Sequence, residues 1–188
     1  KKETYKDGKE EGPWVGYWSN GKLRQKETFK NGKREGPFVW YYENGQVFHK
    51  ATYKNGKQDS LVTHKYHDNG KLHTKKTYKN DKEDGPWVYY HKDGKLNFKG
   101  TYKNGKREGP FVWYYENGQL RQKETYKDDK KHGEWVHYYE EHGQVWKKET
   151  YKNGKKEGPW VEYHKNGQLR KKETYKDGKQ DSLVTHKY

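Results

Sequence analysis

Cysteine, methionine and isoleucine are absent from this 188-residue chain, and alanine occurs once, at Ala51. Without cysteine there is no disulfide framework and no thiolate metal site. The other aliphatic residues are ten Val and seven Leu, and hydrophobic residues of every kind make up 27% of the chain. No apolar run approaches the ~18 residues that a membrane-crossing helix needs. A core of the usual aliphatic kind cannot be built from so little. Serine is equally scarce, at Ser19, Ser60 and Ser182. Its three places give no sign of an activated nucleophile. Sustained apolar periodicity at 3.6 residues is missing too, which excludes amphipathic helices.

Aromatics and cations take the vacant share. There are 19 Tyr, 8 Trp and 5 Phe, and 42 Lys+Arg against 27 Asp+Glu give a formal net charge of +15. High charge with low hydrophobicity is the signature of disorder, but disordered chains are poor in aromatics. Here the rings recur at fixed places. Thr followed by an aromatic falls at Thr4, Thr28, Thr52, Thr77, Thr101, Thr125, Thr150 and Thr174, at spacings of 24 or 25 residues. The chain is one array of about eight units, with extra residues near 60–68 and at Glu140-Glu141. Lys1–Lys9 repeats 171–179, and the closing QDSLVTHKY repeats Gln58–Tyr66. The array is therefore expected to start and end inside a repeat, as a segment of a longer protein.

Each unit carries two turn signals, of the kind Asn31-Gly32 and Asn44-Gly45. Asn-Gly tolerates the positive φ angles of type I′ hairpin turns. Between the turns lie a short aromatic segment, such as Phe38–Tyr42, and a longer basic one, such as Leu120–Lys127, both suited to a pleated surface. Gly-Pro precedes the aromatic segment in five units and becomes Ser-Leu at Ser60 and Ser182. The expected fold is all-β: an elongated single-layer antiparallel meander of about eight 24-residue, two-strand repeats. Lys and Arg stems are expected to lie across the rings, with their charged ends in water. Stability should rise with the number of units, because contacts run only between neighbours.

The repeated unit, with Tyr-Tyr-Glu-Asn-Gly-Gln at 41–46 and 114–119 and Gly-Lys-x-x-Gly-Pro-aromatic at 32–38, 105–111 and 154–160, resembles the bacterial variant of the MORN repeat (membrane occupation and recognition nexus). Proteins with this variant are often grouped as YwqK-family antitoxins. The resemblance implies a single-layer antiparallel meander, a scaffold, membrane-associated or antitoxin role, and no catalytic residues.

Arg24, Lys26 and Lys30 alternate along their segment, as do Arg121, Lys123 and Lys127, and Arg170, Lys172 and Lys176. With like strands ~10 Å apart, they predict a basic stripe able to attract nucleic acid, anionic lipid or an acidic protein. The plainer reading is a solubilising surface that blunts edge pairing, partly offset by Glu27, Glu124 and Glu173. The eight Trp could stack sugars or bases, or simply be the sheet's only core. The ten His show no metal-ligand spacing. No catalytic, cofactor-binding or metal-binding set is expected. The leading expectation is a non-enzymatic scaffold that binds a protein partner, with a toxin as a special case. The alternatives are an electrostatic binder of polyanions or an anionic envelope surface, and a carbohydrate binder using exposed rings. Candidate contact residues are Trp40, Trp113, Trp160, Arg24, Arg121 and Arg170. Open sheet edges offer end-to-end self-association. The lack of cysteine fits an extracytoplasmic bacterial protein.

Overall fold

The computed structural model describes residues 3–185, and every regular element in that range is a strand. The chain divides into two compact units, Lys1–Gly85 and Pro86–Tyr188, each containing several repeats. Each repeat has an eight-residue basic strand, such as Leu23–Lys30 or Leu120–Lys127. In most repeats a tight turn and a two-residue strand follow, such as Lys33–Arg34 or Lys130–Lys131. The aromatic strand comes last, Gly36–Tyr41 or Gly133–Tyr138. Within each unit the pairing is antiparallel and joins neighbours in sequence. Gly36–Tyr41, for instance, lies between Leu23–Lys30 and Val47–Lys54. Each unit is thus an antiparallel meander of two-strand repeats.

The two turns of a repeat differ. At Asn31-Gly32 both residues have positive φ, 52° and 75°, the type I′ geometry that the sequence predicts. Asn80-Asp81 and Asp128-Asp129 take the same shape without glycine. The second turn is not type I′: Gly45 has φ 92°, but Asn44 stays at negative φ. The Gly45 amide donates to the Tyr42 carbonyl and the Tyr42 amide to the Gln46 carbonyl. This is a type I turn closed by a left-handed glycine, the usual three-residue hairpin loop. Asn44 serves it differently, by accepting the Gln46 amide on its side-chain oxygen at 2.9 Å. The extra residue at Glu140-Glu141 enlarges this loop, which closes from Gly143 to the Tyr139 carbonyl.

Gly-Pro marks the entry to the aromatic strand. Gly36 and Gly109 hold φ of 81° and 76°, and the kink there separates the two-residue strand from the aromatic one, whereas Gly85-Pro86 lies inside the continuous strand Lys82–Tyr90. Where Ser60-Leu61 stands instead, one strand of ten residues runs from Lys57 to Tyr66 and absorbs the other extra residue. Successive repeats are also stitched at both ends. The Glu before Gly-Pro accepts the amide of the next hairpin: Glu11 from Asn31 and Glu35 from Asn55, both at 2.7 Å. At the other end a ring with a polar tip donates to the next repeat's carbonyl. Tyr115 Oη reaches Tyr138 O and Tyr139 Oη reaches Tyr163 O, each at 2.9 Å.

Candidate interaction surface

Strand alternation sorts the repeat into two faces. On one face Phe111 opposes Glu124, and Trp113 opposes Gln122. Across the next pair Trp135 opposes Glu149. The buried rings all belong here: Trp14, Phe29, Phe38, Phe111, Tyr126, Trp135 and Tyr151. In the second unit they form a continuous ladder. Phe111–Tyr126, Tyr126–Trp135, Trp135–Tyr151, Tyr151–Trp160 and Trp160–Tyr175 have centroid separations of 5.0–5.4 Å. Tilted and edge-on rings at these distances attract beyond the area they bury. Cations roof the ladder as expected. Lys131 Nζ lies 3.9 Å from the Trp135 ring centre, Lys156 Nζ 3.9 Å from that of Trp160, and the Arg107 guanidinium 3.9 Å from that of Tyr126.

The carboxylates of the basic strands lie on this same face, a placement that differs from the expected role of offsetting a basic stripe. Glu27, Glu124 and Glu149 are only 5–6% exposed. In Glu-Thr-Tyr the Glu and the ring share a face and Thr takes the other, so the Glu is drawn in with the ring. Each carboxylate is then satisfied by hydrogen bonds, as burial demands. Glu27 accepts from Gln25 Nε2 at 2.6 Å and Arg34 Nε at 2.7 Å. Glu124 accepts from Gln122 and from Tyr126 Oη, the latter at 2.6 Å. Lys147 Nζ stands 2.5 Å from Glu149. Burial pushes the Glu124 carboxyl up, and the bonds from Tyr126 and Gln122 oppose this. Burial, then the neighbouring Glu149, pushes the Tyr151 phenol up to about 12.

The opposite face alternates lysine and valine across the strands. Lys99 opposes Val112, Val112 opposes Lys123, Lys123 opposes Val136, Val136 opposes Lys148, Lys148 opposes Val161 and Val161 opposes Lys172. Like residues recur on every second strand, ~10 Å apart. The basic stripe therefore exists, but lysine alone builds its centre.

The sequence pattern of the MORN repeat variant matches residues 10–31, 34–55, 65–80, 83–104, 107–128, 131–153 and 156–177, most of the chain. The chain belongs to the MORN repeat variant family. No curated protein matches it. Among solved structures, a chain of the GtfA/B complex bound to UDP and GlcNAc aligns with 57% of this chain and 21% of its own length. The two are 13% identical with a TM-score of 0.23, a likeness too slight to bear on fold or function. The interval between the second and third MORN matches, 56–64, contains the Ser-Leu variant.

The six candidate residues occupy three kinds of place in the MORN array. Trp40 and Trp113 hold equivalent positions and are half-buried on the aromatic face. Trp113 packs 5.0 Å from Phe98 and lines an open cavity of about 370 Å3. Trp160 sits two residues earlier in its strand, at the position of Phe38 and Phe111. Its indole donates to the Thr150 carbonyl at 3.2 Å, making it part of the ladder. Arg24 does not share a face with Lys26. Lys26 opposes Val15 and Val39, whereas the Arg24 guanidinium lies over Trp18 and Trp40, 5.7 and 5.5 Å from their centres. A register shift between Gly16 and Tyr17 opposite this point and a long stem bring it there. Arg121 is exposed, and Arg170 is exposed with Nη1 3.8 Å from Glu162.

Sequence reasoning missed the ring-side pairs made across the second turn. Trp18 meets Arg24, Tyr42 lies 5.0 Å from Phe48, His67 4.3 Å from His73, and Asn97 Nδ2 3.1 Å from His91 Nδ1. The signal was a constant spacing of six residues in those repeats. The described residues hold no group of three or more His, Asp or Glu arranged to bind a metal ion.

Proposed function

We propose that this MORN array is a non-catalytic scaffold that binds a protein partner through the aromatic face of Pro86–Tyr188. One observation carries the reading. The cavity beside Trp113 is open and bounded by Trp87, Tyr89 and Phe98, with Arg107 at hand. Concave, mostly aromatic sites with a few fixed polar groups are where proteins take ligands, and aromatic and Arg anchors dominate protein interfaces. An acidic partner suits the net charge of +15, which would speed association more than it tightens it. In an antitoxin setting the partner is a toxin, neutralised by occlusion.

The test is affinity capture from lysate and envelope fractions of the source organism, with elution across a salt gradient. One stoichiometric protein should survive high salt on the wild-type chain and be lost from Trp113→Leu. Retention of that protein by the variant would contradict this use of the face.

The lysine row supports a second reading, an electrostatic binder of nucleic acid or anionic lipid through Lys99, Lys123, Lys148 and Lys172. Such binding weakens steeply with salt because each phosphate contact releases counterions. Nucleic acid or lipid leaving the column at moderate salt, with no protein behind it, would favour this second reading.

A further inference from the structure

The repeats allow one unit to be compared with the others, and one pair of positions stands apart. Glu27 and Arg34, seven residues apart, meet across the hairpin at 2.7 Å. The same two positions hold Glu124 and Lys131, then Glu149 and Lys156. They hold Lys76 and Glu83 with the signs exchanged, and Ala51 and Gln58 with both charges gone. Only Gly100 and Arg107 keep the cation and drop its carboxylate. The Gln that bonds the buried carboxylate elsewhere, Gln25 or Gln122, is also replaced here, by Phe98.

The structure shows what these exchanges do. Phe111 leans over Gly100 so closely that a Cβ there would lie 2.6 Å from the ring. The ring thus fills the root of the missing side chain. The space beyond it stays open as the cavity of about 370 Å3, walled by Trp87, Tyr89, Phe98 and Trp113. Arg107 borders this space and is held in place from two sides. Its guanidinium stacks 3.9 Å from the Tyr126 ring centre. Its Nε donates to Asp129 Oδ1 at 2.9 Å and its Nη2 to Asp129 O at 3.3 Å. Asp129 is itself a departure from the repeat, standing where Gly32, Gly56 and Gly154 stand in other units. It answers part of the cation's charge from the exposed turn. A guanidinium fixed in this way loses little freedom on meeting a carboxylate, and charged hydrogen bonds are the strong ones.

We propose that the cavity beside Gly100 is a binding site for a carboxylate borne on an apolar body, delivered by an acidic segment of a partner polypeptide. Arg34 gives its Nε to Glu27, whereas Arg107 Nε is committed to Asp129, so the incoming carboxylate meets the terminal guanidinium N–H groups that Asp129 leaves. The apolar body lies against Phe98, Trp87 and Trp113. The site deepens the scaffold reading and rests on it.

The probes are acetyl-Phe-Glu-Phe-amide and its Gln counterpart, titrated into the full chain and followed by Trp fluorescence and calorimetry. The Glu peptide should bind at least tenfold tighter than the Gln peptide. Arg107→Gln should erase that preference, while Arg34→Gln, which does not line the cavity, should leave it unchanged. Phe98→Gln installs the residue found at Gln25 and Gln122 in two other repeats and should weaken the Glu peptide at least tenfold. Circular dichroism and urea midpoints establish that each variant is folded. Equal binding of the two peptides, no binding at millimolar concentration, or a preference that survives in folded Arg107→Gln would each overturn the site. If the peptides fail while the partner is still captured through Trp113, this site falls and the scaffold reading stands. If Trp113→Leu also retains the partner, both fall.

Discussion

At the scale of the residue, the unusual feature is the buried carboxylate. Glu124 opposes Phe111 in register and accepts from Tyr126 and Gln122. Removing one donor from a buried acceptor costs about 1–3 kcal/mol. Tyr126→Phe should therefore lower the unfolding free energy by that amount, measured from urea midpoints. The pH response of Glu124 follows from its direction of shift. Burial raises its folded-state pKa above the unfolded value, so the native state binds the proton more tightly. Its contribution is fully present below the unfolded pKa of ~4.3 and is lost as pH rises through the folded value. Glu124→Gln cannot ionise. Its stability relative to wild type should therefore increase as pH is raised from 4 through that transition, and a flat difference would show that the carboxylate is not desolvated.

At the scale of the element, the hairpins and the kinks decide the repeat. Asn31-Gly32 was legible because only a few residue types accept two successive positive φ angles. Asp128-Asp129 was not legible, since its turn depends on register imposed by the neighbouring strands rather than on glycine. The second turn misled for a related reason. Asn44-Gly45 is written like a type I′ turn, but its Asn works through its side chain and only Gly45 is left-handed. The Glu residues were misplaced because a Lys-Glu-Thr-Tyr segment averages to a solvated strand. Alternation alone would have put Glu124 beside Tyr126, and the recurring Glu/Lys pairing seven residues apart was already in the sequence. The direction in which Arg24 reaches was not legible, because it depends on the register shift opposite it. Gly109 enters its strand at φ 76°, with open space where a side-chain carbon would stand, so Gly109→Ala meets strain rather than collision. A left-handed alanine costs about 1–2 kcal/mol, and an unfolding free energy lowered by that amount, read from urea titration, is the expected outcome.

At the scale of the whole molecule, the fold disfavours the charged form of several histidines. Burial lowers His49, His64, His73 and His137; nearby cations add to this at His64, His67 adds to it at His73 along with Lys65, and Glu149 opposes it at His137. A lowered folded pKa gives stability that is present above the unfolded value of ~6.5 and lost as pH falls through the folded one. Thermal melts at pH 7, 6 and 5 should show a progressive fall, and His137→Gln should reduce its steepness. The two sheet faces differ, rings and buried carboxylates on one, lysine and valine on the other, and the proposed scaffold role uses the first. The measurement that tests the account most directly is capture of the partner by two folded variants, Trp113→Leu on the aromatic face and Lys99, Lys123, Lys148 and Lys172 all changed to Gln on the other. The account predicts that the partner is lost from the first and kept by the second. A partner kept by Trp113→Leu and lost from the lysine variant would contradict it and assign binding to the basic face.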